Sequence, residues 1–395
     1  MKIRNTGAIS PWICIIIAAM YKPAFIDNLP YLDLLWNGVR AVVLMGVVVN
    51  CLPIIKSGKI KKYMFAVFIW GFSLLICTVI HRGSLTNYIL SIGMGLGIII
   101  SAETELTRNA YRFIHSVAIM LGCFIIINFI TIILFPDGFY IVNNYAEING
   151  ITMIKDQVPC YFLGFRNVMF TTIFPGIVIN ILDYNMMKKK SIISIISIAC
   201  GVASFLILWS ATSITVSFIF ILVYIISKKI EPKVLINTIY VIAIVFFIAI
   251  VLLRLQNLFS FIIVGILKKD LTFTNRVGIW DKAIKLIMTH PFIGYGYREH
   301  QYYIDTIGAS HAHNYYLDVW MRGGFVAFAS FIYMIKGCGD RLRKCPKSKN
   351  QIALIAMLWS ILIAFETEAY ISAINLFIFI PLAMHCNELT RNNLT

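Results

Sequence analysis

Charge is what this chain has least of. Only 13% of its 395 residues are Asp, Glu, Lys or Arg, about half the usual fraction of a soluble domain. A water-soluble fold could not hide the apolar surface of a chain that is 59% hydrophobic. Acids are scarcest, 18 against 34 Lys and Arg, which leaves a formal net charge of +16. In a soluble protein that excess would point to nucleic acid; here the positions of the cations matter more than their sum. No phosphate-loop sequence, HExxH or nucleophile elbow occurs. The missing phosphate loop argues against an ATP-driven pump. The nine cysteines do not make a disulfide framework, because Cys14, Cys51, Cys77, Cys123 and Cys200 lie in apolar runs and Cys338, Cys345 and Cys386 flank such runs in positive loops. Only Cys160 is expected to face an oxidising side.

What is present is hydrocarbon. Runs long enough to cross about 30 Å of bilayer fall near 8–26, 32–52, 62–81, 84–102, 112–135, 166–186, 191–209, 211–227, 234–253, 314–335, 351–366 and 370–386. The expected fold is an all-α integral membrane protein of about 12 transmembrane helices, with residues 1–395 forming one polytopic domain. No cleavage site of small residues follows the first run, which reads as a retained anchor. Most Lys and Arg fall on one side if the N-terminus is cytoplasmic: Lys2 and Arg4, Lys56 to Lys62, Arg108 and Arg112, Lys188 to Lys190, Lys228 to Lys233, and the cluster from Lys336 to Lys349. The opposite short turns hold only Lys22 and Arg82. The positive-inside rule then gives an N-in, C-in protein with two long extracytoplasmic segments, 136–165 and 254–313. Long loops of this kind are usually functional.

The second long segment carries most of the chemistry. Val277, Trp280, Ala283, Ile284, Ile287 and Met288 share one helical face, the pattern of an amphipathic helix on a membrane surface. Pro291 stops it, and Gly294 and Gly296 make a tight turn. Ser310-His311-Ala312-His313-Asn314 then opens another apolar helix. His311 and His313, at i and i+2, do not share a helical face, and no Cys, Asp or Glu lies at metal-ligand spacing around them, so no metal site is expected. A histidine of ordinary pKa, about 6.5, could accept a proton near neutral pH. Arg166, entering the sixth run, and Arg276, in the first turn of the amphipathic helix, are each either interface cations or forked phosphate ligands. Asp318 and Arg322 are four apart inside an apolar run, an ion pair pointing into the bundle. Glu366 and Glu368, in the turn between the last two runs, are the nearest acids, with exposure as their default reading. Tyr295, Tyr297, Tyr302, Tyr303, Tyr315, Tyr316 and Trp320 crowd the same segment, as interface belts do.

Three pieces of this region, Asn275-Arg276-x-x-x-Trp280 with Pro291-x-x-Gly294-x-Gly296, His313-Asn314-x-x-Leu317, and Gly323-Gly324, resemble the signature of the O-antigen polymerase and O-antigen ligase superfamily. Gly164-Phe165-Arg166-Asn167 and Ser210-Ala211-Thr212-Ser213 extend the likeness, although Ile214 stands where many relatives carry an arginine. The resemblance implies a glycosyltransferase of the inner membrane, working on its outer face in lipopolysaccharide or capsule synthesis. It would join an oligosaccharide on a polyprenyl (undecaprenyl) diphosphate to a sugar hydroxyl of an acceptor, with no metal or other cofactor and no nucleic acid. Partners would be the lipid-linked donor and acceptor, membrane lipids and a chain-length regulator. In that reading His313 is the general base, Arg166 and Arg276 hold the donor diphosphate, and His311, Asn314, Asp318, Arg322 and Glu366 support them. A ligase of the same superfamily, or a lipid-glycan transporter or flippase, is the alternative.

Overall fold

In a bilayer the backbone of an apolar run can satisfy its N–H and C=O groups only internally, which favours helix. In the computed structural model, which describes residues 9–56, 61–148, 151–187, 191–255, 276–369 and 371–391, every one of the apolar runs falls on helical structure. The described residues are about 79% helical. In chain order the helices are α1 (Pro11–Met20), α2 (Pro30–Lys56), α3 (Tyr63–Ile80), α4 (Leu85–Tyr88), α5 (Met94–Leu134), α6 (Phe170–Met186), α7 (Ile192–Ile207) and α8 (Ala211–Ile226). They continue as α9 (Pro232–Phe246), α10 (Arg276–Thr289), α11 (His300–Ile307), α12 (Tyr315–Lys344), α13 (Lys349–Thr367), α14 (Phe379–Met384) and α15 (Cys386–Arg391).

Among the described residues five helical stretches are long and apolar enough to cross a membrane: Pro30–Pro53, Tyr63–Ile80, Leu85–Leu134, Pro232–Leu252 and Lys349–Thr367. The third covers two of the expected runs, divided at Asn109, whose backbone leaves the helical region (φ −158°). Its side chain accepts the Arg112 amide at 3.0 Å and so restarts the helix. Starts elsewhere follow the same chemistry. Proline opens α1 and α9, where its missing N–H costs nothing. Ser348 caps α13 by accepting from Gln351.

The segment 136–165, expected as a loop, contains an antiparallel hairpin. β1 (Tyr140–Ile148) pairs with β2 (Ile151–Cys160), Tyr140 facing Cys160 and Ile148 facing Ile151, with an irregularity at Asn144/Tyr145. Asn275, most of 254–275, Lys2, Arg4, Lys59 and Lys188 to Lys190, all used in the sequence reading, lie outside the described residues.

The helices form two compact units, one drawn from Met1–Leu52, Ile100–Ile214 and Asn387–Thr395, the other from Pro53–Ile99 and Thr215–Cys386. In the first, Asp183, an acid inside an apolar run, is fully compensated. It meets His115 Nδ1 at 3.0 Å and accepts the Ser194 hydroxyl at 2.9 Å.

In the second unit α12 is the central element, packed against α3, α9, α10, α13 and α14. The helix predicted around Arg276 exists as α10, but its apolar stripe does not lie on a membrane surface. Trp280, Ala283 and Ile287 are buried in a cluster with Tyr303, Ile307, Ala312, Leu317 and Met321, while Met288 is exposed. A neighbouring protein face satisfies an amphipathic stripe as well as lipid does, and periodicity cannot tell them apart. The cysteine reading is also corrected. Cys345 and Cys386 form a disulfide with their Cα atoms 6.2 Å apart, within the usual range, because the residue that ends α12 returns beside Cys386.

Candidate active site

The site is assembled where α12 breaks. At Gly324 the backbone turns to φ 67° and ψ −173°, which interrupts the helical hydrogen-bond ladder. The freed carbonyls find donors in the glycine turn: Tyr295 N–H bonds to Met321 O at 2.9 Å and Gly296 N–H to Arg322 O at 2.8 Å. Pro291 O in return accepts from Phe325 N–H and from the Trp320 indole, both at 2.9 Å. Glycine is obligatory at this contact, since a Cβ on Gly324 would lie 2.1 Å from Phe292 O and one on Gly294 2.5 Å from Gly324 N. The Pro291–Gly296 and Gly323-Gly324 pieces of the motif are therefore the two halves of one backbone joint.

The histidine loop is held from below by the buried pair. Asp318 accepts the Ala312 amide on Oδ1 at 3.1 Å and the Arg322 Nε–H on Oδ2 at 2.8 Å. Arg322 also donates to Ser310 O at 2.9 Å and lies over the rings of Tyr303, at 4.2 Å, and Tyr297, at 4.9 Å. Asn314 caps α12 by accepting the Leu317 amide at 3.0 Å, and its Nδ2 donates to Glu366 O and Glu366 Oε2 at 3.0 and 3.2 Å. Arg276 donates to Thr367 O and, at 3.1 Å, to Glu368 Oε1. It thereby sits over the end of α13.

Between these anchors His313 adopts φ 50°, a conformation few non-glycine residues take. Its Nδ1 is buried with no hydrogen-bond partner among the described residues. Its ring centroid is 4.1 Å from that of His311, and its amide donates to His311 Nδ1 at 3.3 Å. Accepting that bond leaves the His311 proton on Nε2. Removal from water, together with Arg322 and Arg276, pushes the His311 pKa down to about 3. Burial, then His311 and Arg276, hold His313 down to about 3, against a smaller opposing pull from Asp318. An ordinary histidine pKa was expected here. Burial of both rings is the main reason it is not found, with the neighbouring cations adding to it.

Arg276, His311, His313, Asn314, Asp318, Arg322 and Glu366 thus all belong to the second unit and meet around the start of α12 and the end of α13. The acids correct their default reading: Glu366 is 1% exposed and Glu368 5%, because α13 continues to Thr367 and carries them inward. Arg166 belongs to the first unit, where it is exposed on the turn before α6. That turn is anchored by Gly164 (φ 105°), by Leu163 N–H on Asn128 Oδ1 at 2.8 Å, and by the Ser210 hydroxyl on Asn167 Oδ1 at 3.0 Å. The last bond joins the two outlying stretches of the motif.

Sequence reasoning missed the roles of Tyr297, Tyr303 and Ser310, which carry no periodic signal. Among the described residues no group of three or more His, Cys, Asp or Glu side chains is placed to hold a metal ion.

Residues 193–332 match the family model described as O-antigen ligase. The matched segment contains every site residue of the second unit except Glu366. No curated protein matches the chain.

Proposed function

Because residues 193–332 carry the domain of the O-antigen polymerase and ligase superfamily, we propose that this chain is a polysaccharide polymerase. It transfers a glycan from a polyprenyl diphosphate to the sugar hydroxyl of an acceptor repeat unit, on the outer face of the inner membrane. The observation that carries the reading is His313: a neutral imidazole with an open ring nitrogen, beside Arg276, on strained backbone. The distribution of Lys and Arg supports twelve spans with both termini inside.

In this scheme Arg276 turns its fork from Glu368 and Thr367 towards the diphosphate oxygens of the donor, a planar match that lysine lacks. The negative charge of the bound diphosphate offsets the cations that hold His313 neutral and raises its proton affinity when the acceptor is in place. His313 then takes the proton of the acceptor hydroxyl as that oxygen attacks the anomeric carbon. The bond to the diphosphate breaks on the opposite face, and the leaving group departs with its electron pair onto Arg276. The result is one displacement with inversion. His311 fixes the orientation of the His313 amide, Asp318 and Arg322 hold the loop, and Asn314 with Glu366 locks the helix start. Arg166 is a candidate diphosphate ligand on its own unit by virtue of its exposure and forked donors.

A ligase that moves finished glycan onto another acceptor is the second reading, favoured by the description of the matched family. Purified protein with lipid-linked repeat units tests the first. Wild type is expected to elongate the glycan, His313→Gln to make none while inserting normally, and Arg276→Lys to lose at least about tenfold in kcat/KM. Full elongation by His313→Gln removes the base from the scheme. In cells, a deletion strain left with single-repeat product identifies the polymerase, and one left with unattached polymer identifies the ligase.

A further inference from the structure

A second cationic feature stands apart from His313 and Arg276. At the end of α3 the chain turns through His81, Arg82, Gly83 and Ser84, and a cleft of about 230 Å³ opens between this turn and the start of α11, lined by Arg82, Gly83, Ser84, Arg298, Glu299 and Tyr302. The turn is rigid. Ser84 N–H bonds to Tyr297 O at 2.6 Å, Tyr297 N–H to the Thr78 hydroxyl at 3.0 Å, and Asn87 Nδ2 to Arg298 O at 3.4 Å. Arg82 is held at φ 51°, another strained non-glycine position.

Neither arginine of the cleft has an ion-pair partner among the described residues. Arg298 lies 4.2 Å over the Tyr302 ring, which fixes its plane, and its Nε is buried without a hydrogen-bond partner. One fixed guanidinium with an unused buried donor, and a second exposed one across the cleft, offer an anion more positive charge than Glu299 opposes. Below it, Phe72, Ile76 and Val79 stand exposed on one face of α3, a stretch apolar enough to span a membrane. The cleft lies at the end of the helix that carries this apolar face, so an anion held there would stand at one end of a stretch apolar enough to meet an acyl or isoprenyl tail.

We propose that this cleft binds the phosphate headgroup of a membrane lipid, at a site separate from the one that holds His313. The cleft stands on the same backbone joint as the catalytic loop, since Tyr297 continues the turn that bonds to α12, and Tyr303, beside Tyr302, lies against Arg322. Two sources share the chemistry, an isoprenyl phosphate carrier and an anionic glycerophospholipid.

The test uses the full chain in phosphatidylcholine nanodiscs, with undecaprenyl phosphate and phosphatidylglycerol added separately and bound lipid counted by native mass spectrometry. Wild type and Arg276→Gln are expected to retain one phosphate lipid that Arg82→Gln/Arg298→Gln binds at least about tenfold more weakly. Arg82→Gln alone, at an exposed side chain, carries the test if the double variant does not elute as wild type does. Preference for undecaprenyl phosphate identifies the carrier of the acceptor, and preference for phosphatidylglycerol a resident lipid. Equal retention by wild type and the arginine variants overturns the site. The binding readout is independent of elongation: inactive wild type that still binds sinks the enzymatic reading alone, and active wild type whose binding ignores Arg82 and Arg298 sinks the cleft alone.

Discussion

Asp318 and Arg322 are bonded to each other at 2.8 Å, and each also grips the loop that carries His313, one through the Ala312 amide and the other through the Ser310 carbonyl. Removing one partner leaves a buried charge without its counter-ion. Asp318→Ala is expected to cost about 3–5 kcal/mol of stability. Asp318→Ala/Arg322→Met should cost less than the two single changes summed. Unfolding in detergent measures both. In variants that remain folded, kcat should fall while KM for the lipid-linked donor holds, because the pair positions His313 and leaves Arg276 untouched.

The two histidines give stability a pH dependence of definite sign. Their folded pKa values, about 3, lie below the unfolded value of about 6.5. The unfolded chain therefore binds the extra protons. The stability this provides is fully present above pH about 6.5 and is lost as pH falls from there towards 3. The melting temperature of wild type should drop across that window, and that of His311→Gln/His313→Gln should drop less. The difference is expected to be about 1–3 kcal/mol, given that both side chains keep some contact with water.

Gly324→Ala should be among the most damaging single-methyl changes in the chain. The added carbon meets Phe292 O at 2.1 Å on backbone that glycine alone takes readily. Neither side of the joint can move without giving up the bonds from Tyr295 and Gly296. A loss of more than about 3 kcal/mol, or absence of folded protein, is expected. Thermal unfolding of the purified variant decides it. Near-wild-type stability would mean that the break in α12 is not required.

Cys345 and Cys386 are paired in the structure, on the side the positive-inside rule gives to the cytoplasm, where thiols stay reduced; alkylation under denaturing conditions without reductant should therefore count seven thiols in protein oxidised after isolation, and nine after reduction. Cys345→Ser/Cys386→Ser should lower stability by about 3–4 kcal/mol through the freed loop between them. Nine thiols before reduction would show that the bond does not form.

The helices were legible because hydrophobic runs of this length leave the backbone no other choice. The boundary at Asn109 was legible too, as a gap between two runs, although the structure bends one helix there instead of ending it. The hairpin at Tyr140–Cys160 was missed, yet Asn149-Gly150, a strong short-range hairpin signal, stands between its strands in the sequence. The amphipathic face of α10 was read correctly and its partner was not, since Trp280 and Ile287 have the same periodicity whether they meet lipid or α12. Around His313, the sequence named the residues that the structure brings together but not their pairings. Glu368 stands 92 positions from Arg276 and Thr78 stands 219 from Tyr297, and no local pattern predicts contacts over such separations.

The joint between the glycine turn and α12 also dictates an order of assembly. Residues 291–296 are synthesised before Met321 and Arg322, so the acceptors that fix the shape of the turn come later in the chain. The amides of Tyr295 and Gly296 lack these partners until Met321 and Arg322 have followed, and the Pro291 carbonyl lacks its donor until Phe325 has. The loop that carries His313 lies between the two halves, and its strained geometry rests on both. A chain cut short before Phe325 would therefore leave the joint open and the loop that carries His313 without its frame, which makes the first turns of α12 the last part this region needs.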